Sequence, residues 1–222
     1  MQSVLFGDQF QETQTTDLMV IQNQHLVKVN LDGTIHAKQG SMVAYQGEVN
    51  FKYKGAGAKR LLKKLVSGED FQLMEITGKG DVFLADTAQD VYLVFLENEA
   101  LSIKGDHVLA LDAALSWDIK FNRLAGMLAG GLVNVIVSGT GWVALTSHGV
   151  PVVLQVDRPT LTDINATVAW STSLDQTIKK SDSMFKTAIG RGGGELFQMS
   201  FSGDGHVIVQ PSEGFPVAPS SG

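Results

Sequence analysis

A chain of 222 residues, 44% of them hydrophobic and 18% charged, has the composition of a folded globular protein with a sizeable core. Its formal charge of −6 argues against a broad phosphate-binding surface, and so against nucleic acid as a partner. The absence of cysteine removes disulfides, thiolate metal sites and a cysteine nucleophile.

Residues 1–17 are polar and rich in Gln and Thr, and read as an N-terminal arm. No basic segment followed by an apolar stretch opens the chain. From 18 to about 86 the pattern is mainly that of strands. His25 to Leu31 alternates, Asp32-Gly33 is a turn signal, and Thr34 to Ala37 resumes the strand. Gly40 breaks the pattern before Met42 to Tyr45 and Val49 to Tyr53. KRLLKKLV (Lys59 to Val66) reads as a short basic amphipathic helix, and Met74 to Leu84 (MEITGKGDVFL) as a strand.

The same order returns at about 87–147. Val91 to Leu96 is a strand, Glu97-Asn98-Glu99 a turn, Leu101 to Ile103 a strand and Gly105-Asp106 a break. Val108 to Leu111 and Trp117 to Phe121 are further strands, and Asn122 caps a short helix over Arg123 to Ala129. Val135 to Leu145 (VIVSGTGWVAL) closes the segment. The longest apolar run, Leu124 to Val137, falls short of the roughly 20 residues a membrane helix needs and holds three glycines. A soluble, cytoplasmic protein is expected. The third pass, about 148–212, has Val152 to Val156, a turn at Arg158-Pro159, Val168 to Trp170, and a helix over Ser183 to Ile189. It ends on Met199 to Val209 (MSFSGDGHVIV), and the Pro/Ser/Gly-rich stretch 213–222 reads as a flexible tail.

Three closing strands share the pattern apolar-x-apolar-[Ser/Thr]-Gly-x-Gly-x-Val-x-[Leu/Val]. Their first glycines stand at 78, 139 and 203, so successive copies begin 61 and 64 residues apart. A motif this specific at near-constant spacing implies a threefold internal duplication. Gly78, Gly80, Gly139, Gly141, Gly203 and Gly205 fall on the apolar face of each strand. Glycine there marks a bulge, a bend or a close backbone approach. A phosphate-binding turn would need a helix to follow, and a strand follows each time. No linker parts the copies, so they are expected to pack as one domain over 18–212. Closing them into a ring would leave no exposed sheet edges between them.

Little in the chain advertises chemistry. The histidines at 25, 36, 107, 148 and 206 lack the short spacings of metal motifs, so no metal or other cofactor is expected. The carboxylate pairs Glu97/Glu99 and Glu69/Asp70 flank turns or helix ends and read as solvated. No nucleophile elbow occurs, and the Ser-Gly steps at 138 and 202 correspond to Thr77-Gly78. No catalytic residue is therefore assigned, and an enzyme is not expected. Lys52, Lys120 and Lys179 each follow an apolar strand residue at what read as matching positions of the three copies. Brought together by symmetry, they would form a triangle able to hold an anion; as solvated lysines they would do nothing specific. Trp117, Trp142 and Trp170 share no common position, which weighs against a symmetric aromatic cage.

Gln22 to Leu31 (QNQHLVKVNL), Gly40 to Phe51 (GSMVAYQGEVNF) and Phe201 to Pro211 (FSGDGHVIVQP) resemble bacterial members of the altered-inheritance-of-mitochondria 24 family, over about residues 18–212. The resemblance implies three tandem subdomains similar to the trp RNA-binding attenuation protein. They would form an all-β, pseudo-threefold β-prism related to the double-stranded β-helix. Mitochondrial members are linked to inner-membrane organisation, and the resemblance brings no site residues and no RNA-contact motif. The expected role is a non-enzymatic scaffold or binding module, with an unknown protein partner or a homo-oligomer. Two alternatives stand beside it: a small-molecule or anion binder using clefts between repeats, and a membrane-surface organiser acting through residues 59–66 without integral insertion.

Overall fold

The computed structural model describes residues 3–53, 72–122, 132–180 and 197–212. The three short helices read at 59–66, 123–129 and 183–189 lie outside the described residues, as does the tail from 213. What is described is antiparallel β-sheet with three short 3-10 turns.

Alternation of apolar residues builds the first sheet segment. A hairpin strand β1 (Met19–Asn23) leads into β2 (Leu26–Lys38), followed by β3 (Met42–Tyr53) and β4 (Leu73–Leu84). In β2 the buried side is Val27, Val29, Leu31, Ile35 and Ala37, and in β4 it includes Met74, Ile76, Val82 and Leu84. These period-two sets fix the register, because a slip of one residue would turn each set out to solvent. β4 runs between β2 and β3.

Asp32-Gly33 is not a turn. β2 passes straight through it for 13 residues, with Gly33 opposite Gly78 and Asp32 opposite Lys79, whose Nζ lies 3.2 Å from the Asp32 carboxylate. The dipeptide that starts many hairpins here serves a strand backbone with φ +131° at Gly33.

The next segment is built the same way. β5 (Asp90–Lys104) lies along β8 (Leu132–Ser147), whose other side takes β6 (Val108–Asp112) and then β7 (Ser116–Asn122). Glu97-Asn98-Glu99 is likewise a bulge inside β5 rather than a turn. The register shifts between Leu96 and Glu99, and Asn98 takes φ +56°. In the last segment β9 (Val152–Gln155) and β10 (Thr160–Asp163) are separated at Arg158-Pro159, as read. Beyond them β11 (Thr167–Ser171) and β12 (Asp175–Lys180) flank β14 (His206–Val209) and β13 (Phe197–Ser202), respectively. β9 and β10 lie on the opposite sides of the same two strands.

Two further pairings join the segments: β6 with β2, and β11 with β5. The large sheet therefore runs β3-β4-β2-β6-β8-β5-β11-β14-β9, and a smaller one runs β10-β13-β12. Among the described residues this path has two ends, β3 and β9, and does not close into a barrel. The two junctions inside the chain pair β2 with β6 and β5 with β11, and among the described residues no strand pairing joins β3 to β10. Three apolar clusters follow the same order along the chain: Met19 to Ala144, Leu73 to Ala169, and Val156 to Val207.

The stretch 3–17 has two 3-10 turns, Val4–Phe6 and Asp8–Phe10, and is bound to the first segment. Asn30 Nδ2 donates to the carbonyls of Thr15 and Asp17, and Thr13 N donates to Gln22 Oε1. Lys28, buried at 3% exposure, places Nζ 3.3 Å from Glu12 and 3.4 Å from Asp81. One buried ammonium thus ties the stretch to β2 and β4.

Candidate functional site

The motif glycines have unequal surroundings. A Cβ on Gly78 would lie 2.0 Å from the Glu48 carbonyl oxygen, and one on Gly80 would lie 2.0 Å from that of Gln46. Here backbone touches backbone, with Gly47 opposite Gly80. Gly139 and Gly203 instead face Leu115 and Leu174 side chains at 3.6 Å. Gly141 faces Asp112 at 3.0 Å, and Gly205 faces the Ser171 Cβ at 2.8 Å. Their neighbours are the corners between β6 and β7 and between β11 and β12.

The lysine triangle loses its premise. Lys120 is opposite Asn134 and Lys179 opposite Gln198, each partner five residues before the first motif glycine. Lys52 is opposite Glu75, only three residues before Gly78. Lys52 therefore stands two positions out of step, and its Nζ lies 3.4 Å from the Glu75 carboxylate. All three lysines are exposed.

The histidines are dispersed. His25 Nδ1 lies 3.1 Å from Asp90, His36 meets Trp117 edge-on at 5.8 Å, and His206 is exposed. His107 is buried, and its Nδ1 is 2.9 Å from the Thr146 carbonyl. Because that oxygen can only accept, Nδ1 carries the proton. Burial first, and then the Lys104 charge, lower the His107 pKa to about 4, so the ring is neutral at pH 7. Lys104 is itself buried and donates from Nζ to the Ile164 carbonyl at 3.0 Å. This polar cluster links β5, β8 and the loop after β10. Nothing in it pairs a nucleophile with a base. Among the described residues no group of three or more His, Asp or Glu is placed to hold a metal.

The sheet edges stand out more. Each of β3, β6 and β11 carries a bulge at the same step against its neighbour: between Met42 and Ala44, Val108 and Ala110, Thr167 and Ala169. The bulged residues are Val43, Leu109 and Val168. Leu109 and Val168 are 0% and 1% exposed, whereas Val43 is 61% exposed. Two residues on, Leu111 and Trp170 are buried and Tyr45 is 48% exposed. β6 and β11 are covered by β2 and β5; the corresponding edge of β3 pairs with no described strand. The edge of β10 is likewise uncovered, and Leu161 on it is 48% exposed. Uncovered edges with apolar side chains are the usual starting point for strand addition.

None of these edge residues is singled out by the sequence. Val43, Leu109 and Val168 are all apolar there, and only the pairing separates the covered from the bare. Residues 19–212 match the family model described as mitochondrial biogenesis AIM24, and the chain belongs to that family. The fold is similar to the crystal structure of protein SPYM3_0169 from Streptococcus pyogenes, with a TM-score of 0.70 and 24% identity, covering 87% of this chain and 92% of that one. No protein of curated function matches the sequence. Among the described residues no helix is long and apolar enough to cross a membrane.

Proposed function

We propose that this member of the AIM24 family is a cytoplasmic, non-enzymatic scaffold or binding module, made of three equivalent units and engaging protein through its uncovered sheet edges. The units are the faces of an open prism. Each has one central strand (β4, β8, and β13 with β14) flanked on both sides, and one bulge at the same step. The observation that carries the functional reading is the exposure of Val43, Tyr45 and Leu161 on strand edges that no described strand covers. An edge of this kind offers main-chain hydrogen bonds for affinity and alternate side chains for specificity.

A photo-crosslinking amino acid placed at 43 or at 161 in the host cell tests it. Discrete protein adducts are expected from these positions and not from exposed Asn98, in the bulge of β5. Adducts equally from all three positions, or from none, would reject the edge reading. A small mass retained in native mass spectrometry and lost on denaturation would favour a ligand site instead.

A further inference from the structure

The two junctions inside the chain have the same register, and it can be carried over to two of the edges left open among the described residues, those of β3 and β10. In the first, Ile35, His36 and Ala37 of β2 lie opposite Asp112, Leu111 and Ala110 of β6. In the second, Leu101, Ser102 and Ile103 of β5 lie opposite Ser171, Trp170 and Ala169 of β11. Position within a unit follows from pairing to the central strand. His36 is opposite Glu75, Ser102 opposite Ile136 and Leu161 opposite Ser200, each three residues before the first motif glycine. Leu111 is opposite Val143, Trp170 opposite Val207 and Tyr45 opposite Val82, each four residues after it. Leu161 is thus the third member of the set His36, Ser102, and Tyr45 the third member of the set Leu111, Trp170.

We infer that β10 of one copy of this chain pairs antiparallel with β3 of a second copy, head to tail, with Thr160 opposite Gln46, Leu161 opposite Tyr45 and Thr162 opposite Ala44. The contact would be continuous with the two internal junctions and would cover Val43 and Tyr45 as β2 covers Leu109 and Leu111. Its two faces differ, so the contact is heterologous and each copy keeps one free edge of each kind until a neighbour takes it. This inference rests on the edge reading of the previous section and names the partner as a second copy.

The test uses the purified full chain in native mass spectrometry and size exclusion with light scattering. Masses of two or more copies are expected at micromolar concentration. Tyr45→Glu and Leu161→Glu each place a charge in the junction and should weaken association on the order of a hundredfold. Both residues are about half exposed in the single copy, and an unchanged circular dichroism spectrum checks that each variant folds. Mixed together, the two variants should form a dimer and nothing larger, because the Leu161 edge of one and the Tyr45 edge of the other remain intact. An isologous contact gives no such rescue.

The chain has no cysteine of its own, so a Tyr45→Cys/Leu161→Cys double variant adds a second readout. Disulfide-linked multimers on a non-reducing gel support the pairing, and an intrachain disulfide in a monomer overturns it. A monomeric wild-type chain, or oligomers indifferent to both charges, also overturns it. Adducts to other proteins in the cell would in that case leave the edge reading standing; their absence as well would remove both.

Discussion

At Gly80, no other residue keeps β3 against β4. The backbone lies at φ +152°, and an added Cβ would meet the Gln46 carbonyl at 2.0 Å. Gly33 has a comparable φ of +131° with nothing within 4 Å of an added Cβ. Gly33→Ala should therefore cost only backbone strain, about 1–2 kcal/mol, while Gly80→Ala should cost more than about 3 kcal/mol or prevent folding. Urea denaturation of both variants checks the order, and equal losses would show that the close approach is not what selects glycine. His107 sets a second expectation at this scale. Its folded pKa of about 4 lies below the ordinary 6.5, so between these values the unfolded chain binds more protons than the folded one. The stability it contributes is complete above pH 6.5 and declines as pH falls toward 4. The groups facing the ring are Lys104 and His148, which oppose its protonation, and Asp106, which favours it. From pH 7 to 5 the loss should be about 2 kcal/mol, and His107→Gln should remove most of that slope in denaturation series across this range. A slope unchanged by the substitution would assign the pH dependence to other groups.

Among the elements, the stretch 3–17 and the interrupted strands are the most informative. Lys28 binds Glu12 and Asp81 at the base of β2, and both carboxylates are about one-third exposed, so water weakens the pairing. Lys28→Ala should cost about 1–3 kcal/mol and release residues 3–17, made visible as faster proteolysis there. Release without loss of stability would mean that the stretch contributes nothing to the fold. The interruptions show how far local chemistry reaches. Asp32-Gly33, Glu97-Asn98-Glu99 and Arg158-Pro159 all read as turns in the sequence, and only the last parts two strands. Positive φ occurs at Asn98 inside a bulge and at Gly33 inside a strand of unbroken register, and in the sequence both carry the signals of a hairpin turn. Which one forms depends on the strand alongside: β4 and β8 continue past the interruption and hold the chain straight.

For the molecule as a whole, the order of the clusters predicts where it opens first. The third cluster draws only on residues from Val156 onward, whereas the first two take residues from more than one segment. Amides of β10 and β12, at the rims of the smaller sheet, should exchange with solvent sooner than those of β4 and β8, which are flanked on both sides. Hydrogen exchange read by mass spectrometry checks this, and uniform exchange across the chain would point to a single cooperative unit.

Alternation and the recurring Gly-x-Gly pattern were enough to assign strands to most of the described chain, because the period of two and the glycine requirement are properties of a strand itself. The family could also be read from three short stretches. The partner of each strand was not legible. Matching Lys52 with Lys120 and Lys179 failed by two residues, since spacing along the chain does not record where bulges and corners shift the register. The candidate site was hidden for the same reason. Val43, Leu109 and Val168 are three apolar residues at one position of three strands, and being covered or bare is a property of the neighbouring strand, which only the tertiary structure supplies.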